Sequence, residues 1–323
     1  MVKAIRVHKP GGPDAMVWED IEVAAPGAGE VLVKHTAIGV NFIDTYFRSG
    51  LYPAPAPFSP GNEAAGVVEA VGSGVSDLKA GDRVAYVAGP GTYAEKRLVP
   101  ADRVVKLPAG ISDKQAASMM LKGMTVQYLL RRTYKVQKGD TILFHAAAGG
   151  VGLIACQWAK HLGATTIGTV GSKEKAELAK AHGCHHTVLY RETDFVAAVK
   201  GLTNNAGVPV VYDSVGKDTL LKSLDCLRPL GILVSFGQSS GSAEPLNLGL
   251  LSAKGSLYVT RPTLNSYIAK RADLVATADE LFDVVAKGIV KIETTAEYAL
   301  KDAVRAHKDL EGRKTTGSVV LIP

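Results

Sequence analysis

Over about the first 125 residues, short β-prone apolar runs recur between glycine- and proline-rich breaks. Residues 31–33, 66–71, 83–87 and 93–99 are such runs, and Gly72-Ser73-Gly74, Gly81-Asp82 and Gly89-Pro90-Gly91 supply turns between them. This spacing predicts a compact, antiparallel, partly barrel-like domain. The texture changes at 112–133, where Ala116, Ala117, Met120, Met124 and Leu129 recur as the apolar stripe of a helix. From Thr141 onward, strands and helices alternate. Strands are predicted at 141–145, 165–170, 187–189, 208–213 and 231–236, and helices at 151–161, 173–181, about 195–202 and 217–227. Such alternation builds a parallel sheet with helices on both faces. A long amphipathic helix near 265–287 and a final β-prone run at 318–322 are expected to return to the first domain. The predicted fold class is therefore α/β, with a doubly wound parallel-sheet domain at 125–261. A mainly antiparallel β domain would comprise 1–124 and 262–323.

The most informative stretch is His145-Ala146-Ala147-Ala148-Gly149-Gly150-Val151-Gly152, which follows the strand TILF and opens a helix. A glycine-rich strand-to-helix turn lets backbone approach a diphosphate, whose charge is held by free N–H groups and the positive helix end. Ala147 replaces the first glycine of the usual pattern. NAD sites place an acidic residue about 20 positions further on, to bind the ribose 2′-hydroxyl. Here the strand ends in Val170-Gly171 and continues Ser172-Lys173-Glu174-Lys175. A hydroxyl and two cations suit a 2′-phosphate better than a free hydroxyl, so NADP(H) is the expected cofactor. Glu174 is expected on the solvent side. Ser214 and Phe236-Gly237-Gln238-Ser239 fall at the ends of later strands, the edge where open α/β sheets bind ligands.

Size and composition narrow the setting. A chain of 323 residues fits two domains, and 46% hydrophobic with 21% charged residues is near the globular norm. No run of about 18 apolar residues is present to cross a membrane. Three cysteines, Cys156, Cys184 and Cys226, without a CxxC pair, argue against a disulfide framework or thiolate metal cage. The opening residues lack the apolar core of a secretory signal, and a cytoplasmic setting is expected. The charge of +6 is spread along the chain without an RNA- or DNA-binding motif. It fits attraction of an anionic small molecule, and a nucleic-acid partner is not expected. Cys156 and Cys226 read as core residues on apolar helix faces. His185-His186 would point to opposite faces of a strand, which disfavours a metal site.

Together these features resemble the medium-chain dehydrogenase/reductase superfamily. The resemblance is carried by Gly61-Asn62-Glu63-Ala64-Ala65-Gly66-Val67-Val68, Gly81-Asp82-Arg83-Val84, the Ala-Ala-Gly-Gly-Val-Gly turn and Tyr212-Asp213-Ser214-Val215-Gly216. Within that superfamily, Asn41-Phe42-Ile43-Asp44-Thr45-Tyr46 and Tyr258-Val259-Thr260-Arg261-Pro262 are similar to the quinone oxidoreductases related to ζ-crystallin. The resemblance implies a Rossmann-type domain beside a GroES-like one, a quinone substrate and a homodimer. A dimer could pair sheet edges formed by 231–236 and 256–259. The alcohol-dehydrogenase branch holds zinc with a cysteine in the segment corresponding to 39–44 and the histidine of a Gly-His-Glu motif. This chain carries Asn41 and Gly61-Asn62-Glu63 instead, and Gly89-Pro90-Gly91-Thr92 in place of a four-cysteine loop. No metal is expected.

The resemblance further implies catalytic roles for Asn41, Asp44, Tyr46 and Tyr52. Asn41 could bind ribose, carboxamide or substrate oxygen; Tyr46 could stack on a quinone or donate its hydroxyl; Asp44 could simply cap the helix that begins there. Cofactor contacts are expected from Asn41, Phe42, Thr125, Gly149, Gly150, Val151, Gly171, Ser172, Lys175, Tyr190, Ser214, Phe236, Gly237, Ser239, Arg261 and Arg313. Two other functions fit the same pattern: NADPH-dependent reduction of alkenals or enones, and an NADPH-binding structural or RNA-binding protein.

Overall fold

The computed structural model describes residues 1–323, which divide into two units. Unit 1 contains residues 1–122, 270–286 and 292–323; unit 2 contains residues 123–269 and 287–291. Unit 1 begins with an antiparallel pair, β1 (Val2–Val7) and β2 (Met16–Ile21). There follow β3 (Glu30–Val40), α1 (Phe42–Ser49), β4 (Glu63–Val71), β5 (Arg83–Val87), β6 (Lys96–Pro100) and β7 (Val104–Lys106). Helix α2 (Asp113–Tyr128) carries the chain out of this unit and ends in a π-helical turn, Leu129–Thr133.

Unit 2 continues with β8 (Thr141–Phe144), α3 (Gly150–His161), β9 (Thr165–Val170), α4 (Lys173–Ala181), β10 (His186–Leu189) and α5 (Phe195–Leu202). After them come β11 (Val208–Asp213), α6 (Leu220–Ser223), β12 (Leu227–Ser235), α7 (Gly249–Ala253), β13 (Tyr258–Thr260) and α8 (Leu264–Tyr267). The chain then supplies α9 (Arg271–Ala286), β14 (Thr294–Ala299), α10 (Ala303–Glu311) and β15 (Ser318–Ile322) to unit 1.

In unit 1, β14-β15-β3-β4-β5-β7 form one sheet, and β6 pairs with the other half of β3. All these pairings are antiparallel except β14 with β15. The organising strand is β3. Its first half alternates buried and more exposed positions, and its last four residues are all buried. Val31, Val33, Ile38, Val84, Tyr86 and Leu321 meet in the core beneath it.

In unit 2 the strands run in parallel in the order β10-β9-β8-β11-β12-β13. The order reverses direction between β8 and β11, where a doubly wound sheet opens its crevice. Leu143, Ile167, Val188, Phe195, Val211 and Leu233 fill one core of this unit. The sheet is as expected, apart from several elements. The helix expected at 217–227 is only α6 followed by a 3-10 turn, Leu224–Cys226. Asp213 takes the N–H groups of Val215 and Gly216 and the Thr219 hydroxyl, so the preceding residues wrap that carboxylate instead of forming a first helical turn.

The long helix expected at 265–287 is broken into α8 and α9. Tyr267 gives its carbonyl to Arg132, hydrogen-bonds Thr133 through its hydroxyl and stacks on Tyr128 at 4.4 Å. Strand β12 pairs on both sides, so 231–236 is not a sheet edge; the edge strand on that side is β13. No helix is long and apolar enough to cross a membrane.

Ile38 is fully buried, pairs with Leu321 on one side and Ala64 on the other, and belongs to the unit 1 core. Ile38→Ala is expected to cost about 2–5 kcal/mol. A denaturant midpoint unchanged from the parent would contradict this placement.

Candidate active site

Unit 2 gathers its predicted cofactor residues at the carboxyl ends of its parallel strands. Strand β8 leads through His145 and Ala146 to Gly149, the N-cap of α3. That cap makes no side-chain hydrogen bond, and no acid lies in the first turn, so the helix carries no negative side chain of its own at its positive end. Gly152 allows the tight return: a Cβ there would lie 2.5 Å from the Ala146 carbonyl oxygen. The left-handed residue of the turn is Ala146, at φ 55°, a conformation that disfavours side chains. Its N–H donates to Thr169 Oγ1 at 3.3 Å, and its carbonyl accepts from Gly149 N–H at 2.9 Å. Buried His145 bridges Thr169 Oγ1 and Ser223 Oγ, each at 2.9 Å, beneath this turn.

Gly171, Ser172 and Tyr190 directly follow β9 and β10. A Cβ on Gly171 would meet the Tyr190 hydroxyl at 3.1 Å, so the two share one spot. Ser172 caps α4 by accepting from Lys175 N–H, and its hydroxyl also interacts with the exposed Glu174, whose carboxyl it holds low. The serine is therefore partly committed before any ligand arrives. Further along the edge, Ser239 N–H donates to the Ser214 carbonyl, and Arg261 donates to the carbonyls of Ser235 and Gly237. This joins Ser214, Phe236, Gly237, Ser239 and Arg261, with the guanidinium serving as a staple for the end of β12. Thr125 lies nearly buried on α2. His185, expected in a loop or surface role, accepts the Thr166 N–H outside β10.

In unit 1 the site is built where β3 turns into α1. Asn41 and Asp44 cap α1 reciprocally, Asp44 Oδ2 accepting the Asn41 N–H at 2.8 Å. Asp44 is fully buried and also receives Asn62 Nδ2 at 2.6 Å and the Tyr93 hydroxyl at 3.0 Å. Beside it, buried Glu63 receives Asn41 Nδ2 at 2.7 Å, the Leu121 N–H at 2.7 Å and the Lys122 ammonium at 3.2 Å. Gly61 is essential to this packing: at φ 91°, a side chain would run into Thr92 and the Tyr93 ring. Burial is the largest influence on Asp44 and pushes its carboxyl up to about 7, against its three hydrogen bonds and with help from nearby Glu63.

Phe42, Tyr46, Phe47 and Tyr52 form an aromatic cluster, with Tyr46 and Tyr52 edge-on at 5.2 Å. Tyr46 is buried, and Tyr52 is half-buried with its N–H on the Tyr46 carbonyl. Arg313 belongs to this unit but lies apart from α1 in sequence, exposed just after α10 at φ 57°.

Asn62, Glu63, Tyr93, Lys122, Arg48 and His307 surround the site without having been singled out by role. Arg48 had a local signal, standing one helical turn after Asp44; Lys122 and His307 had none. Asn41, in the segment where the resemblance puts a zinc-binding cysteine of the alcohol-dehydrogenase branch, and Asn62, in place of its Gly-His-Glu histidine, give their NH2 groups to carboxylates. No three His, Cys, Asp or Glu side chains are grouped to hold a metal ion. These residues do not fit zinc, and no chemical step is assigned to one.

The Asp44 environment yields a stability test. A carboxyl that titrates near 3.8 when unfolded and about 7 when folded contributes most below pH 3.8, and that contribution is lost as pH rises to about 7. The stability of the parent minus that of Asp44→Asn is expected to fall between those limits and flatten above them. A difference that rises over the same range would contradict the assignment.

The chain matches the family model described as alcohol dehydrogenase GroES-like domain over residues 27–109 and that described as zinc-binding dehydrogenase over residues 150–284. It is 55% identical to a quinone oxidoreductase of Pseudomonas aeruginosa, each chain being fully covered. It is 49% identical to a 2-haloacrylate reductase of a Burkholderia species, covering 100% of this chain and 99% of that one. The crystal structure of Escherichia coli quinone oxidoreductase complexed with NADPH aligns with a TM-score of 0.98 at 52% identity, covering 99% of this chain and all of the other. With both domain types present and full-length identity above one half, this chain belongs to the quinone oxidoreductases of the medium-chain dehydrogenase/reductase superfamily.

Proposed function

We propose that this chain is an NADPH-dependent quinone oxidoreductase that works without zinc. The observation that carries the reading is its full-length identity of 52–55% to quinone oxidoreductases, one of them solved with NADPH. Bound NADPH supplies the hydride, and a quinone accepts it without a Lewis acid because its ring is already strongly electron-poor.

The chain's own task is to bind and orient. The free N–H groups at the start of α3, in Gly150, Val151 and Gly152, suit the diphosphate, with Gly149 keeping the approach open. Lys175, Ser172 and Tyr190, around the bare Gly171, suit the 2′-phosphate. Ser214, Phe236, Gly237, Ser239 and Thr125 line the path toward the nicotinamide, and Arg261 holds the end of β12 in place. Arg313 is assigned to the cofactor as a closing cation. In unit 1, Asn41 and Phe42 are assigned to the nicotinamide end, with Asn41 fixed by Glu63. Tyr46 and Tyr52 offer aromatic faces to a flat quinone. Asp44 is enclosed by three donors and fully buried, which fits a positioning role instead of direct attack on substrate.

The 2-haloacrylate reductase relative favours a second reading, hydride transfer to an activated alkene, since the same cofactor geometry serves both acceptors. The ratio of kcat/KM for benzoquinones and for enals separates the two. We also assign the protein to the cytoplasm, on its three free, buried cysteines, and to a homodimer. The supporting feature for the dimer is the free edge of β13, where Tyr258 is 59% exposed.

Purified protein with NADPH and 1,4-benzoquinone is expected to consume cofactor at the same rate with or without a chelator. Absence of turnover across several quinones would overturn the proposal, and so would activity lost on chelation and restored by zinc. Lys175→Glu is expected to lower kcat/KM for NADPH by about tenfold or more while barely changing that for NADH. Equal losses with both cofactors would remove Lys175 from the phosphate site.

A further inference from the structure

Behind Asp44, a line of buried polar side chains runs through unit 1. The Tyr93 hydroxyl lies 3.0 Å from Asp44 Oδ2 on one side and 3.0 Å from His307 Nε2 on the other. His307 Nδ1 lies 3.0 Å from an Arg48 guanidinium nitrogen. Arg48 is 2% exposed, forms a forked pair with Glu311 at 2.7 and 2.9 Å, and donates through Nε to the Gly11 carbonyl. Tyr93 and His307 are wholly buried, their rings edge-on at 5.6 Å. The network joins α1, the loop before β6, and α10, across as many as 263 positions of sequence.

The chemistry of the participants gives this line one direction. A guanidinium has donors and no acceptor, so His307 Nδ1 must accept from Arg48. Burial first, then the Arg48 charge, pushes His307 down to about 3, leaving a neutral ring with a single N–H. That proton is therefore on Nε2 and is donated to the Tyr93 oxygen. Tyr93, itself pushed well above its ordinary range by burial, keeps its own proton and directs it at Asp44. Each donor in turn points toward the carboxylate. If Asp44 became protonated on the Tyr93 side, two donors would face one another, and only rearrangement of Asn41, Asn62 or Tyr93 would relieve it.

We propose that Arg48, His307 and Tyr93 are positioning residues: through this directed line of hydrogen bonds they favour the charged form of Asp44, which in turn fixes Asn41 and Asn62. Its consequence for catalysis rests on the function proposed above; the protonation claim does not. The other groups facing Asp44 are Glu63, whose charge opposes its ionisation, and Lys122, which pairs with Glu63. Neither lies on the line, so both serve as a constant background.

The test is a carbon-13 titration of the full chain with labelled aspartate carboxyls, the Asp44 signal being assigned by its loss in Asp44→Asn. His307→Phe keeps a flat ring but removes both nitrogens, and is expected to raise the Asp44 midpoint by about one pH unit. His307→Gln, whose amide can accept from Arg48 and donate to Tyr93, is expected to restore at least half of that shift. Tyr93→Phe should raise the midpoint similarly, and adding His307→Phe to it should change the midpoint no further. A midpoint unmoved or lowered in the Phe variants, or a glutamine no better than phenylalanine, would overturn the proposal. The readout uses neither NADPH nor quinone, so a failed functional reading would appear separately, as absent turnover beside an intact Asp44 shift.

Discussion

The turn from β8 into α3 can pass where it does only because position 152 has no side chain. A Cβ there would press on the carbonyls of Ala146 and Ala147, and the first N–H groups of α3 could not be presented together. The rest of unit 2 is arranged around that requirement. Ala146 holds a left-handed backbone, at roughly 1–2 kcal/mol for a residue with a side chain. His145, Thr169 and Ser223 brace it from below. The reversal of strand order beside β8 then sets the ends of β9 through β13 around the same opening. No side chain caps the first N–H groups of α3, which the proposed function gives to a diphosphate.

Unit 1 meets the opposite problem, buried negative charge. Asp44 and Glu63 lie beneath the β3–α1 junction with no exposure, and each is satisfied by three donors. Asn41 serves both carboxylates, through its backbone and its side chain, which makes its position hard to vary. Charges enclosed in this way organise the site more than they strengthen the fold. The aromatic surface formed by Phe42, Tyr46 and Tyr52 rests on that base.

Where hydrogen bonding stays local, the chain could be read from its pattern. Strands 165–170 and 208–213 and helices 173–181 and 195–202 match their expected limits, because their apolar spacing already states which face is buried. The glycine turn was visible for the same reason. Long-range competition was not. Asp213 shortens the helix before β12, and Arg132 ends α8 by taking the Tyr267 carbonyl, neither of which periodicity reveals. The apolar pattern does not reveal strands β1, β2 and β14, because charged residues interrupt each of them: Lys3 and Arg6, Glu19 and Asp20, and Glu297. At the site, Asn41 and Asp44 stood out by motif. Tyr93 and His307 meet only in three dimensions, 214 positions apart.

The central claim about this chain is that it binds a dinucleotide bearing a 2′-phosphate in preference to one without it. Calorimetric titration of the purified protein with NADPH and with NADH tests that claim most directly. NADPH is expected to bind at least about tenfold more tightly, a difference of roughly 1.4 kcal/mol. Equal affinities, or tighter binding of NADH, would contradict it.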